Sequence, residues 1–377
     1  MSVVMAMEPR RSALVYLFHL LILTFFVAVD GAADVNELTA ESQLQTIIDS
    51  VPTKKIPGII LLVEGPNISF HGARGHADRK TKTPIEMEHS LRAGSVCKTY
   101  VAALANMAEN EELIDLDLPI DQYLKAEVLD RLPTSAPTIR QLLNHTSGIP
   151  DYYGVRFYLK DWKDRGPLTT DLVLHAIRGK KVTNTPGEKF SYSNTNYHLV
   201  ALILEAVYQR PLEKLFRERI FEPLKLQATY YNMHFPPGDA IHGYGSPGRS
   251  WKDTYEWQEN TGPDGGMIIR PADLAKWIRE LFSQKGQYAH IGAKMKSNPV
   301  IEDERKWQGM GVEILQSRSG IEIVGHTGAV DGYLTAAFYV PATDTVMVLH
   351  MNKSDNKIFS SVLSKTLRII TSQEHQE

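Results

Sequence analysis

Residues 321–351 read IEIVGHTGAVDGYLTAAFYVPATDTVMVLHM. Short β-rich runs are spaced through this stretch at Ile321 to Val324, Tyr333 to Val340 and Thr345 to Met351. Branched and aromatic residues dominate them, and Pro341-Ala342-Thr343-Asp344 between the last two has the composition of a turn. Asp331-Gly332 reads as another turn. One more run, Gly309 to Leu315, lies just upstream. Runs set this close predict consecutive hairpins, and therefore a mainly antiparallel sheet.

Towards the N-terminus the strand signal returns. Ile59 to Val63 and Asn67 to His71, separated by Glu64-Gly65-Pro66, predict a β-hairpin behind a short amphipathic helix over Leu38 to Val51. A helix begins near Ser95, where Val101, Leu104, Ala105 and Ala108 recur at i, i+3, i+4 and i+7. From about Leu116 to Pro299 prolines are frequent, and helical patches such as Ile139 to Leu143 and Asp171 to Ile177 alternate with turns. Tyr197, Val200, Ala201, Leu204 and Tyr208 share a face of one long helix there, and Phe359, Val362, Leu363 and Ile370 mark a last amphipathic helix. The pattern predicts an α+β fold. Its sheet-containing part is built from 38–115 plus 300–377, with a mostly helical insertion over 116–299 packed beside it.

The chain has 377 residues, 43% of them hydrophobic, enough for one large core or two smaller ones. Its 41 Lys+Arg against 44 Asp+Glu give a net charge of −3. That balance argues against a phosphate-dominated, nucleic-acid-binding protein. The single cysteine, Cys97, allows neither an intrachain disulfide nor a cysteine-based zinc cluster. The 13 histidines show no zinc spacing, so no metal is expected.

Arg10 and Arg11 precede an apolar run from Ala13 to Val29, and Gly31, Ala32 and Ala33 follow. Basic, apolar and small residues in that order predict a secretory signal over 1–33, and so a secreted or periplasmic protein. The run is long enough that an uncleaved membrane anchor is the competing reading. Asn67, Asn144 and Asn352 head glycosylation sequons, which matter only in a eukaryotic source.

Chemistry concentrates in three places. Ser95-Val96-Cys97-Lys98 opens the predicted helix, so Lys98 at i+3 can reach the Ser95 hydroxyl and, as a desolvated amine, accept its proton. Cys97 would point elsewhere and reads as a small buried residue. Tyr192-Ser193-Asn194 lies on a loop before the long helix: a phenolate beside a lysine can act as a base, and the Asn amide can bind a carbonyl. His326-Thr327-Gly328 offers a cation or donor, a hydroxyl and a residue without Cβ, against which a substrate can lie as an added strand. Chance predicts about 0.15 such Lys/His-Thr-Gly triplets in this composition, which makes the third motif the strongest signal.

In that order these motifs resemble the serine β-lactamase and penicillin-binding protein superfamily. The similar branch contains class C β-lactamases, D-alanyl-D-alanine carboxypeptidases, D-aminopeptidases and related esterases. Leu91-Arg92-Ala93-Gly94-Ser95, Gln141 to Pro150 and Gly265-Gly266 before Arg270 extend the resemblance, which runs from about Leu38 to Ile370. It implies a β-lactamase/transpeptidase-like fold and an acyl-enzyme serine hydrolase that needs no cofactor. Ser95 would be the nucleophile, with Lys98 and Tyr192 sharing proton transfer. Asn194 would hold the substrate amide, and His326, Thr327 and Gly328 would line a carboxylate-facing strand. The backbone N–H groups of Ser95 and Ala329 would form the oxyanion hole. The implied substrates are small molecules or peptides, including D-amino-acid peptides of cell wall, or esters.

One position departs from the β-lactamase pattern: His326 replaces the third-motif lysine. Histidine is a weaker cation at neutral pH, which favours a peptidase or esterase over a dedicated β-lactamase. The alternative reading is a catalytically silent homologue that serves as a wall-fragment sensor or scaffold. The sequence leaves the oligomeric state open.

Overall fold

The computed structural model describes residues 39–134, 137–153, 168–231, 240–245, 251, 253–255 and 262–373. The expected signal or anchor over 1–33, and most of the loops 152–166 and 238–262, lie outside the described residues.

Nine strands form one sheet: β1 (Gly58–Gly65), β2 (Ile68–Asp78), β3 (Thr83–Pro84), and then, numbering past three short strands elsewhere, β7 (Val300–Asp303), β8 (Lys306–Gln308), β9 (Glu313–Gln316), β10 (Glu322–Val330), β11 (Tyr333–Val340) and β12 (Thr345–Met351). Their spatial order is β3-β2-β1-β12-β11-β10-β9-β8-β7. Every neighbouring pair is antiparallel, and β1 meets β12 in register from Ile59↔Met351 to Glu64↔Val346. The two ends of the chain thus share one sheet, and the fold is α+β with a mostly helical stretch between them.

Side chains alternate across each strand, and that period of two sorts the core. Ile59, Leu61 and Val63 of β1, with Leu334, Ala336 and Phe338 of β11, face the helices Ala40–Ser50 and Asn356–Ser372. Ile60 and Leu62, with Ala337 and Tyr339, face the other way. There they meet the helices Cys97–Asn110 and Pro271–Phe282. With both faces covered, β11 and β12 are buried along their whole length, which explains their nearly unbroken apolar sequence.

The structure differs from the sequence reading at the sheet edge. Strands β7 and β8 were not anticipated, because an edge rich in Glu, Asp, Arg and Lys has no apolar run to reveal it. Strand β9 starts only at Glu313, since Gly311 adopts φ 69° and turns the chain against the Lys98 carbonyl. Strand β10 runs on to Val330, so His326-Thr327-Gly328 lies within it. Its last pair, Val330↔Tyr333, leaves a two-residue turn at Asp331-Gly332 with Gly332 at φ 89°.

A second sheet of β4 (Leu91–Arg92), β6 (Met267–Ile269) and β5 (Thr229–Tyr231), in that order, ties the segment before Ser95 to the segment after Gly265. It brings two distant stretches of chain to one crevice.

Candidate active site

Ser95 sits in a tight 3-10 turn, Gly94–Val96, that feeds the helix Cys97–Asn110. Lys98 follows in the first helical turn and is fully buried. Its Nζ lies 3.1 Å from Ser95 Oγ, 2.8 Å from Asn194 Oδ1 and 2.7 Å from the Asp264 carbonyl oxygen. Tyr192 arrives from the loop before the helix Thr195–Tyr208, and its hydroxyl donates to Ser95 Oγ at 3.0 Å. Ser95, Lys98, Tyr192 and Asn194 therefore converge.

The hydrogen bonds fit Lys98 both as an ammonium that gives three N–H groups and as a neutral amine that gives two. Asn194 Oδ1 and the Asp264 carbonyl can only accept, so each takes one N–H from Lys98. A neutral amine then has its lone pair left for the Ser95 hydroxyl, which in turn accepts from Tyr192. Burial pushes Lys98 below its usual range, against the pull of Asp264, in the direction of that free base. Burial also pushes the Tyr192 phenol well above its ordinary value, outweighing its bond to Ser95. That shift favours a neutral phenol that donates to Ser95 over the phenolate that the sequence also allows.

Neighbouring residues hold these groups in place. His145 stacks on Tyr192 with ring centroids 4.1 Å apart, and its Nδ1 accepts the Ser193 N–H at 3.2 Å. Asp151 accepts from the Asn194 backbone N–H at 3.0 Å and from its side-chain amide at 3.3 Å, which turns Asn194 Oδ1 towards Lys98. The buried Asp264 carboxylate takes the Tyr152 hydroxyl at 3.0 Å and His198 Nε2 at 3.3 Å. Asp151 and Asp264 went unnoticed in the sequence. The signal for the first was its place directly after the Gln141 to Pro150 segment, and for the second its place before Gly265.

Strand β10 closes the other side. Ser95, Tyr153, Asn194, Asp264, Gly265, Ala329 and Val330 line a small crevice. Gly328 packs on the Ala93 carbonyl and Gly94 on the Ala329 nitrogen, so the Ser95 and Ala329 segments touch at the crevice wall.

The sequence offers His326 as a cation or a donor, and its surroundings disfavour the cation. It is 2% exposed and bonds to the Thr327 carbonyl through Nδ1. Burial drives its pKa down to about 4 in spite of Glu313 nearby, so it is neutral at neutral pH. Thr327 donates its hydroxyl to Glu313 Oε1 at 2.7 Å. Cys97 is buried, and burial raises its thiol far above the usual range, as fits a packing residue.

Away from the crevice, Asp78, His242 and Asp253 bring one possible ligand atom each within 4.8 Å of one another. Asp78 is already bonded to the Lys80 N–H and the Thr81 hydroxyl, and His242 to Asp253, so a surface network accounts for the cluster.

Comparisons with known proteins bear on the family and the fold. Among curated relatives, penicillin-binding protein 4* of Bacillus subtilis is 24% identical over 356 residues, covering 88% of this chain and 76% of that protein. A D-aminopeptidase of Brucella anthropi is 25% identical over 300 residues, 78% of this chain; the match spans only 55% of that longer protein. Among solved structures, the D-amino acid amidase of Ochrobactrum anthropi SV3 superposes with a TM-score of 0.76 at 24% identity, covering 88% of this chain and 99% of that one. The family described as Beta-lactamase matches residues 41–361, and the chain belongs to that family as one of its serine hydrolases.

Proposed function

We propose that this protein hydrolyses an amide or ester bond of a D-amino-acid derivative through an acyl-enzyme at Ser95, with β-lactams as inhibitors or poor substrates. The observation that carries the reading is the position of Ser95 Oγ, 3.1 Å from the Lys98 amine and 3.0 Å from the Tyr192 phenol. Ser95 attacks the carbonyl carbon while its proton passes to the Lys98 lone pair, a general-base step worth about 10²–10⁴ in rate. The N–H groups of Ser95 and Ala329 take the developing oxyanion. As the tetrahedral adduct collapses, Tyr192 protonates the leaving nitrogen or oxygen and recovers a proton from Lys98. Water, deprotonated by the same pair, then releases the acid from Ser95.

The named relatives, a D-aminopeptidase and a D-amino acid amidase crystallised with L-phenylalanine, and the neutral His326 support this substrate class. Cell-wall fragments that contain D-amino acids are one source of such bonds. Export through the 1–33 segment would place the enzyme where they occur.

Labelling with a fluorophosphonate, together with turnover of D-aminoacyl amides and short-chain aryl esters by wild type and Ser95→Ala, tests the proposal. Labelling at Ser95 and loss of turnover in the variant are expected. Equal rates for the two proteins would instead favour the silent sensor or scaffold.

A further inference from the structure

The wall built by β10 carries its own charge logic. Glu313 pairs across β9 and β10 with Gly325. Cross-strand partners share a face, and so do residues two apart, so Glu313, Gly325, Thr327 and Ala329 lie on one side of the sheet. That is the side of Leu334 and Ala336, but Ala329 and Val330 both line the crevice although their side chains leave opposite faces, so the crevice meets the edge of β10 beyond Gly325, where the pairing with β9 stops. Thr327 is half-buried along that stretch of edge.

A threonine hydroxyl has a single proton to give. Thr327 gives its proton to Glu313 Oε1 at 2.7 Å, a charge-assisted bond, so Thr327 Oγ1 has only lone pairs left for a ligand. His326 adds no donor, since its Nδ1 is turned to the Thr327 carbonyl and its Nε2 is buried. Glu313 is 4% exposed, and its second oxygen, Oε2, is buried and accepts no hydrogen bond from the described residues. Its charge also helps to keep the proton on Tyr192, which places it within electrostatic reach of the reacting groups.

Behind it, Lys306 is 3.6 Å from Glu313 and 3.1 Å from Glu302. One ammonium thus serves two carboxylates. Burial alone would push Glu313 up, but the Lys306 ammonium and the Thr327 hydroxyl together hold it below the usual carboxylate range. The wall is therefore backed by a lasting negative charge.

We propose that Glu313, acting through the Thr327 hydroxyl, is a positioning residue that makes the β10 wall an acceptor surface, selecting substrates whose group beside that strand is an ammonium, an N–H donor or uncharged, and rejecting those with a carboxylate there. The proposal rests on the acyl-enzyme reading above and narrows its substrate class: the uncharged or amino-bearing end of a D-amino-acid amide or ester fits, and a free C-terminal carboxylate does not.

Matched aryl esters test it. One set keeps the acyl group constant and places a carboxylate, hydrogen or aminomethyl group on the leaving ring; a second set moves the same groups to the acyl chain. In the set whose variable group reaches β10, kcat/KM for the carboxylate ester should fall at least about tenfold below the uncharged one, and the ammonium ester should equal or exceed it. Glu313→Gln, which still accepts from Thr327, should narrow the ammonium-to-carboxylate ratio about tenfold. A purely structural role would slow every ester alike and leave that ratio in place.

If the single variant does not fold, Glu313→Leu with Lys306→Met removes both buried charges together and should narrow the ratio in the same direction. Wild type turning over all the esters equally in both sets, or a folded variant with an unmoved ratio, overturns the proposal. Ser95→Ala separates the two ideas. Unchanged turnover in Ser95→Ala would sink the acyl-enzyme reading, whereas abolished turnover alongside an unmoved Glu313→Gln ratio would sink only the selectivity.

Discussion

Gly94 and Gly328 lock the Ser95 turn to strand β10 by close backbone contact. A Cβ on Gly94 would lie 2.8 Å from the Ala329 nitrogen, and one on Gly328 would lie 1.9 Å from the Ala93 carbonyl oxygen. Gly94 also holds φ 55°, where a side chain is strained. The proposed oxyanion donors, Ser95 N–H and Ala329 N–H, are spaced by this contact.

Gly94→Ala should therefore damage acylation more than folding. The left-handed backbone costs about 1–2 kcal/mol, and displacement of one oxyanion donor costs about 10²–10³ in kcat. Stopped-flow acylation alongside a thermal melt checks this. A normal acylation rate in the variant would remove the wall contact from the mechanism.

Lys98→Arg keeps N–H donors in the site but cannot yield a free base. Acylation of Ser95 should fall about 10²–10⁴-fold, read as the rate of fluorophosphonate labelling. Because burial lowers the Lys98 pKa, wild-type activity should persist well below the usual lysine range, and raising the pH should not rescue the arginine variant.

Tyr192→Phe removes the donor to Ser95 Oγ while keeping a ring to stack on His145. The buried hydrogen bond is worth about 0.5–1.5 kcal/mol of stability. The loss of proton transfer to the leaving group should be larger, about 10²-fold or more. Amide substrates should suffer more than aryl esters, since a phenolate leaves without help and an amine does not. Equal losses on both classes would contradict the assigned role.

Asp151 and His326 shape stability against pH in opposite senses. Burial pushes the Asp151 carboxyl up to about 7, from an ordinary value of 3.8. The native state therefore binds that proton more tightly, and the resulting stability is lost as pH rises from about 4 to about 7. His326 is pushed down to about 4 from 6.5, so its contribution is present above pH 6.5 and lost as pH falls through 4. In wild type the two slopes partly cancel. Melting temperatures of Asp151→Asn minus wild type should rise steadily between pH 4 and 7, and a flat difference would count against the buried carboxyl.

Much of this architecture is legible in the sequence because local chemistry and burial agree. Tyr333–Val340 and Thr345–Met351 stand out as strands since both are apolar, buried on two faces and bounded by turn residues. The edge strands Val300–Asp303 and Lys306–Gln308 do not, since they are short and at least half of their residues are charged or polar, with no apolar run to mark them. In the site, Ser95 and Lys98 are readable from their i, i+3 spacing, and Tyr192 from its motif. Glu313 is silent in the sequence and Asp151 is marked only by its place after Pro150, because each matters only through a partner brought near by the fold, Asn194 for Asp151 and Thr327 for Glu313. His326 shows the converse, in that its spacing suggests a cation and its burial removes the charge.

The pairing of β1 with β12 also sets the order of assembly. A ribosome finishes β1 almost three hundred residues before its partner, so a nascent chain must hold that edge open through most of its synthesis. Strand β10, which completes the crevice opposite Ser95, likewise follows the nucleophile by more than two hundred residues. A chain halted before residue 322 would therefore carry Ser95 without the wall opposite it, so hydrolytic competence waits until that strand has been made.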